Sequence, residues 1–307
     1  AHGAMAQAGN DRSRIWSFER VEYWDGRYRQ RLQEQANVFN ERTFDWLCTY
    51  DAIRKHIDPY VREAYVALDI GCGNADFAAA ISAAHPRLHI TGIDYSSSLF
   101  ELCGSSLGPS HRTGWLVMDA RFLALRDSSF DVILDKGCLD AMCAGYDQIV
   151  LLRSWGRDIT RQEEELSEAA VTSVMQLLRE VERCLVPGGS MYTGMRSSRY
   201  ICISYEAPGG RQQFFTSARE AGLQLTLVRT VIEEESHNYV YIFVKSLVPA
   251  ALMILADGAL PGANAGASAG NVDTEAMATL LPEAGEATDL QMPVASGTAA
   301  ENTDLLQ

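Results

Sequence analysis

The run Tyr65-Val66-Ala67-Leu68-Asp69-Ile70 meets Gly71-Cys72-Gly73, and the Ala-rich stretch Ala75 to Ala84 follows at once. A short, almost continuous apolar run is the pattern of a parallel strand buried on both faces, and Ala-rich sequence favours helix. The segment therefore reads as strand, glycine turn, helix, the opening unit of an open α/β sheet. Glycine lets the backbone turn sharply and approach a ligand closely, and the first N–H groups of the following helix face the same space. A turn of this kind also occurs where nothing binds, so its meaning depends on the rest of the chain.

The unit repeats. Leu88 to Ile93 is strand-like and stops at Asp94, with Ser96 placed to cap a helix; Trp115 to Met118 stops at Asp119, and Phe130 to Leu134 stops at Asp135. Three successive strands ending in a carboxylate line one edge of a sheet with acid, and in open α/β sheets that is the edge where ligands bind. Glu163 to Leu185 carries an apolar stripe at helical spacing, and Pro187-Gly188-Gly189 stops it. Ser190 to Met195 reads as the next strand, and Leu223 to Val231 with Tyr239 to Val244, across the polar Glu233 to Asn238, as a closing hairpin. Tyr146 to Arg161 and Arg196 to Gln213 read as long loops. Upstream, Leu32, Ala36, Phe39, Phe44 and Leu47 recur at helical spacing near Tyr23-Trp24 and Trp46, which predicts a helical cap over 21–62 behind a flexible 1–20. The expected fold is α/β and Rossmann-like over 63–246. It has a seven-stranded, mostly parallel sheet, a closing antiparallel hairpin and helices on both faces.

Beyond about Leu247 the chain turns to Ala, Gly, Thr and acid with no Lys, Arg, Phe, Tyr or Trp, a composition that reads as a disordered acidic tail over 247–307. That tail holds eight acids of the formal net charge of −14, leaving −6 on the body. A mildly acidic body lacks the basic footprint that neutralises phosphates, so no nucleic-acid partner is expected, while a basic protein partner would suit it. The seven cysteines are scattered and form no Cys-x-x-Cys pair, which reads as free thiols in a reducing compartment with no metal site. No apolar run reaches the length of a membrane span and no charged-then-apolar leader opens the sequence, so a cytoplasmic protein without membrane attachment is expected.

Asp94 stands 23 residues beyond Gly71, at the end of the next strand, where a carboxylate accepts hydrogen bonds from ribose hydroxyls. Turn and acid together imply an adenosine-containing cofactor. A dinucleotide fingerprint expects a third glycine where this chain has Asp76, and Asp76 and Asp69 would both repel a pyrophosphate. S-adenosylmethionine, with a sulfonium and a free ammonium, tolerates such carboxylates, and S-adenosylhomocysteine would be its product. Asp119 is then placed to accept from the adenine amino group, or stands as a solvated strand-end acid.

Glycine turn, strand-end acid and the stop Leu185-Val186-Pro187-Gly188-Gly189 resemble class I methyltransferases. More narrowly, Val21-Glu22-Tyr23-Trp24-Asp25-Gly26-Arg27-Tyr28, Phe44-Asp45-Trp46, Asp69 to Asn74, Asp94-Tyr95-Ser96-Ser97 and Phe130 to Ala141 resemble the lysine methyltransferases that modify translation elongation factor 1-alpha. Among these are elongation factor 1-alpha lysine methyltransferase 4 and the amino-terminal half of methyltransferase-like protein 13. The resemblance runs from about Val21 to Lys245. It implies that Trp24, Tyr28 and Trp46 line the cofactor, that Gly71 and Gly73 form its close turn, and that Asp94 and Tyr95 hold the ribose and flank the adenine. Asp119, Ala120 and Lys136 would complete the site. Aromatic faces suit a sulfonium cation, although Trp24 and Tyr28 also read as packing of the cap helix. Arg27 would pair with the methionyl carboxylate or stand as a surface charge. Asp135 and Cys138 stand where relatives often carry Glu and Thr, and Ala144 to Arg161 matches poorly, which leaves the substrate less defined than the cofactor.

Methyl transfer from a sulfonium needs alignment and a neutral nucleophile more than acid–base help. Asp135 and Asp140 are the candidates for orienting a substrate amine, with capping or ion pairing the other reading of Asp140. The Asn/Asp-Pro-Pro-aromatic motif that serves nucleobase and glutamine nitrogens is absent. The expected activity is a protein-lysine N-methyltransferase acting on elongation factor 1-alpha or a similar protein. Small-molecule methylation and a non-catalytic binding module are the alternatives.

Overall fold

The computed structural model describes residues 18–35, 46–103, 112–188 and 198–245. Seven strands, β1 (Val66–Ile70), β2 (His89–Asp94), β3 (Thr113–Val117), β4 (Val132–Lys136), β5 (Arg199–Ser204), β6 (Leu225–Ile232) and β7 (Tyr239–Lys245), form one sheet in the order β3-β2-β1-β4-β5-β7-β6. The pairs from β3 through β5 are parallel, and β7 runs antiparallel to both β5 and β6. The chain builds outward from β1 to β3, then returns past β1 to lay down β4 and β5. The order therefore reverses between β1 and β4, and a crevice opens above their carboxyl ends.

Alternation along the strands supplies both cores. Ala67, Val132, Leu134, Ile201, Ile203, Val240 and Ile242 face α2 (Tyr50–Val61) and α3 (Asp76–Ala84), meeting Ile53, Ile57, Phe77 and Ile81. The intervening residues Leu68, Ile70, Ile133, Tyr200, Cys202, Tyr241 and Phe243 face α5 (Cys138–Ser154), α6 (Arg161–Cys184) and α7 (Pro208–Glu220). Because both faces are covered, a one-residue slip in register would exchange the two cores. In α6 the stripe of Ala170, Val174, Leu177, Leu178 and Val181 is buried, each large member contributing roughly 1.5–3 kcal/mol. A capping box starts this helix: Thr160 N–H donates to Glu163 at 2.8 Å, and Glu163 N–H donates back to the Thr160 hydroxyl at 3.3 Å.

The structure departs from the sequence reading in three places. Tyr146 to Ser154, expected in a loop, is the second half of α5. Its apolar residues do not gather on one stripe, since Val150 and Leu151 are exposed while Gln148 is buried, so helical periodicity is blurred. Arg199–Ser204, also expected in a loop, is β5, and Pro208–Glu220 is a helix with Pro at its first position. The strand expected over Ser190 to Met195 lies outside the described residues, as do 1–17, 36–45 of the predicted cap, and the acidic tail. What is described of the cap is two helices, α1 (Val21–Gln35) and α2.

Candidate cofactor site

The turn after β1 sets the floor of the site. Gly71 and Gly73 adopt positive φ, +64° and +52°, and the Cys72 N–H donates to the Ile93 carbonyl at 2.9 Å, tying the turn to β2. A Cβ on Gly71 would lie 2.8 Å from the Cβ of Cys138, so the start of α5 packs directly against the turn. At the helix that follows, the Asn74 side-chain amide donates to Asp76 at 2.9 Å. A carboxylate thus occupies the helix N-terminus where a pyrophosphate would need to sit.

Asp94, at the end of β2, is a buried acid of the site at 7% exposure. Its Oδ2 accepts from the Gly73 N–H at 3.3 Å and its Oδ1 from the Ser96 N–H at 2.9 Å. Burial pushes its carboxyl up to about 6, against the pull of those N–H groups, and the nearby Asp25 carboxylate adds to the rise. Asp25 belongs to α1. The Ser96 hydroxyl donates to it, which docks α1 on the end of β2 and holds Asp25 below the usual carboxylate range.

Docked in this way, α1 supplies an aromatic wall. Trp24 stacks on Tyr28 at 6.0 Å and meets Trp46 edge-on at 5.7 Å, while its indole N–H donates to the Phe18 carbonyl at 2.7 Å. The Tyr95 hydroxyl donates to the same carbonyl at 3.4 Å. Lys136 donates to the Trp46 carbonyl at 2.7 Å and lies 5.4 Å from the centre of the Phe77 ring. Gly137, at φ +86°, leaves room for Trp46, whose Cδ1 would lie 2.7 Å from a Cβ there.

All eleven residues expected at the cofactor, Trp24, Arg27, Tyr28, Trp46, Gly71, Gly73, Asp94, Tyr95, Asp119, Ala120 and Lys136, line one cavity at the carboxyl ends of β1, β2 and β4. Asp119 is already engaged: Arg121 donates to both of its oxygens, at 2.6–3.1 Å, and the Arg121 N–H donates to Oδ1 at 2.9 Å. Burial alone would raise this acid, yet the Arg121 bonds hold it below the usual range. The sequence reading missed Arg121 and Glu19, which also line the cavity and belong to no motif.

Asp135 and Asp140 do not line it, which corrects the role expected for them. Asp135 is fully buried and caps α5, accepting from the Cys138 and Leu139 N–H groups at 2.9–3.3 Å and from the Tyr200 hydroxyl at 2.9 Å. Burial pushes its carboxyl up to about 7. Asp140 accepts from the Ser204 hydroxyl at 2.5 Å, the Tyr205 N–H at 2.9 Å and the Arg211 guanidinium at 3.0 Å. Arg211, with no exposed surface, also pairs with Asp147 at 2.8 Å. Both aspartates are occupied by their own fold. Among the described residues no group of three metal-ligating side chains occurs.

The donor set suits S-adenosylmethionine. Asp94 faces the cavity and keeps acceptor capacity for a ribose diol beyond its backbone donors, aromatic faces cover a cation, and Asp69, Asp94, Asp119 and Glu19 line the cavity beside Arg27, Arg121 and Lys136.

Comparison with known proteins agrees. A family model described as a methyltransferase domain matches residues 67–157. EEF1A lysine methyltransferase 4 of Bos taurus is 28% identical over 217 residues, covering 70% of this chain and 72% of that protein. The eEF1A lysine and N-terminal methyltransferase of Homo sapiens is 28% identical over 190 residues, 61% of this chain and 22% of that protein. The solved N-methyltransferase NodS from Bradyrhizobium japonicum, in complex with S-adenosyl-l-homocysteine, covers 71% of this chain and 97% of its own at 15% identity and a TM-score of 0.43. With a methyltransferase-domain match that begins in β1 and ends just past α5, and a lysine methyltransferase similar over 70% of its length, this chain is an S-adenosylmethionine-dependent methyltransferase.

Proposed function

We propose that the methyl group goes to a lysine side chain of a protein, with translation elongation factor 1-alpha the first candidate. The observation that carries this reading is the likeness to EEF1A lysine methyltransferase 4, which extends over most of both chains. S-adenosylmethionine supplies an electrophilic methyl on a sulfonium. On this reading Asp94 fixes the ribose, Arg27 faces the methionyl carboxylate, and Trp24, Tyr28 and Trp46 exclude water from the cation.

A lysine ammonium must lose its proton before it can attack, from an ordinary pKa of roughly 10.4. Asp135 and Asp140 are capped and paired, so neither serves as the base. Cys138, Ala141 and Met142 line the α5 side of the cavity and offer little hydration to an ammonium, so desolvation raises the neutral fraction. Incubation of the enzyme with methyl-labelled S-adenosylmethionine and elongation factor 1-alpha should label a lysine of the factor. Label found only on small metabolites would replace this reading with small-molecule methylation. We also propose cytoplasmic residence, in keeping with buried free thiols, and imaging of the tagged chain tests it.

A further inference from the structure

Trp46 reaches the cofactor cavity from an irregular segment, Trp46 to Thr49, that leads into α2. No helix or strand ladder fixes this backbone, so the bonds that hold it come from elsewhere in the fold. The Trp46 carbonyl accepts from Lys136 at the end of β4 at 2.7 Å and from the Cys48 N–H at 3.0 Å. Leu47 stands at φ +68°, in the left-handed region that a bulky apolar residue leaves unless its neighbours hold it there. One such neighbour is Gly137, where a Cβ would come 3.5 Å from the Leu47 side chain and 2.7 Å from Trp46. The other is Asn238, 191 positions away, whose side-chain amide donates to the Leu47 carbonyl at 3.2 Å.

Asn238 is itself fixed. It is buried directly ahead of β7, and its carbonyl accepts from the Glu233 N–H at 2.8 Å across the turn of the β6–β7 hairpin. Its amide also donates to the Ser236 hydroxyl at 2.7 Å. The Glu233 carboxylate in turn accepts from the Glu235 and Ser236 N–H groups and from the Ser236 hydroxyl, at 2.6–3.1 Å. A turn tied in this way offers the amide at one place and in one orientation. We infer that Asn238 is a positioning residue for the methyl-transfer site: it holds Leu47 in the left-handed conformation, which sets Trp46 against Gly137 and so shapes the cofactor cavity. None of the described residues of the closing hairpin lines that cavity, yet through Asn238 the hairpin governs one of its walls. This inference rests on Trp46 meeting S-adenosylmethionine.

Calorimetry with S-adenosylhomocysteine on the full chain tests it. Asn238→Ala should weaken binding about tenfold, the size expected when a hydrogen bond and the conformation it maintains are lost together. Asn238→Asp at about pH 8, which keeps the shape and loses the amide donor, should weaken binding at least as much. Because loss of a buried side chain also lowers thermal stability, the deciding measurement is a double-mutant cycle. Glycine adopts the left-handed conformation without restraint, so in a Leu47→Gly background Asn238→Ala should cost less than about threefold. The full loss in that background, or wild-type affinity in Asn238→Asp, would overturn the inference. Trp46→Ala separates it from its premise. Wild-type affinity in Trp46→Ala would mean that Trp46 does not meet the cofactor, and premise and inference would fall together. Weakened binding in Trp46→Ala beside unaffected binding in Asn238→Ala would overturn the inference alone.

Discussion

Two halves of the same sheet edge carry aspartates at the ends of neighbouring strands, and they treat them oppositely. On the β1–β2 side, Asp94 faces the cavity with backbone N–H donors on it and no side chain paired to it. On the β4–β5 side, Asp135 caps α5 and Asp140 lies in a buried cluster with Arg211, Asp147, Ser204 and Tyr205. A strand-end carboxylate therefore says nothing by itself about chemistry. What decides is whether the elements that follow bring it partners or leave it facing a space. The contrast also separates the halves: the first leaves Asp94 facing the cavity, and the second holds itself together so that the α5 face of the cavity stays in place.

The strongest way to break this contrast is to remove the cation of the second half. Arg211→Leu leaves Asp140 and Asp147 without their shared partner, and loss of one member of a buried ion pair typically costs about 3–5 kcal/mol. The expected result is a large fall in Tm, with cofactor affinity nearly unchanged in the protein that remains folded. Intact stability combined with lost methyl transfer would return Asp140 to the chemistry.

Asp94→Ala tests the other half. Two lost hydrogen bonds to a charged acceptor imply about a hundredfold weaker binding of S-adenosylmethionine, seen by calorimetry, with thermal stability preserved or improved once an unfavourably buried acid is gone. Unchanged affinity would mean that the ribose lies elsewhere.

A gentler probe is pH. Both Asp94 and Asp135 have folded values raised by burial, to about 6 and about 7. Each therefore stabilises the fold fully below the unfolded value of roughly 4 and loses that contribution as pH rises through its folded value. They part company in position: Asp94 lines the cavity and Asp135 does not. Cofactor affinity should rise as pH passes through about 6, by at most tenfold per unit, and level off above. In Asp94→Asn the profile should be flat. A wild-type profile that is flat between pH 5 and 8 would remove Asp94 from the site.

Much of this was legible in the sequence because the signals were local. The apolar run into Gly71, the strands stopping at Asp94, Asp119 and Asp135, and the stripe along α6 all depend on residues within a turn or two of one another. The misreadings share one cause. The second half of α5 has its faces set by the sheet on one side and by α6 on another, so its buried positions form no single stripe. β5 lies between β4 and β7, where partners distant in sequence, and not its flanking residues, define it as a strand. Glu19 and Arg121 escaped notice because the fold, and no local motif, brings them to the cavity.

The sequence by itself determined the Rossmann-like order of elements, the glycine turn and the adenosine-type acid, since backbone conformation and strand burial are written in nearest neighbours. Only the tertiary structure decided which acids are free to act. Arg211 reaches Asp140 from 71 positions away and holds it inside the fold, while Asp94 is left facing the cavity. The availability of a charged group depends on the partners the fold brings to it, because a buried carboxylate binds whichever donor arrives, and the fold delivers most of them before any ligand does.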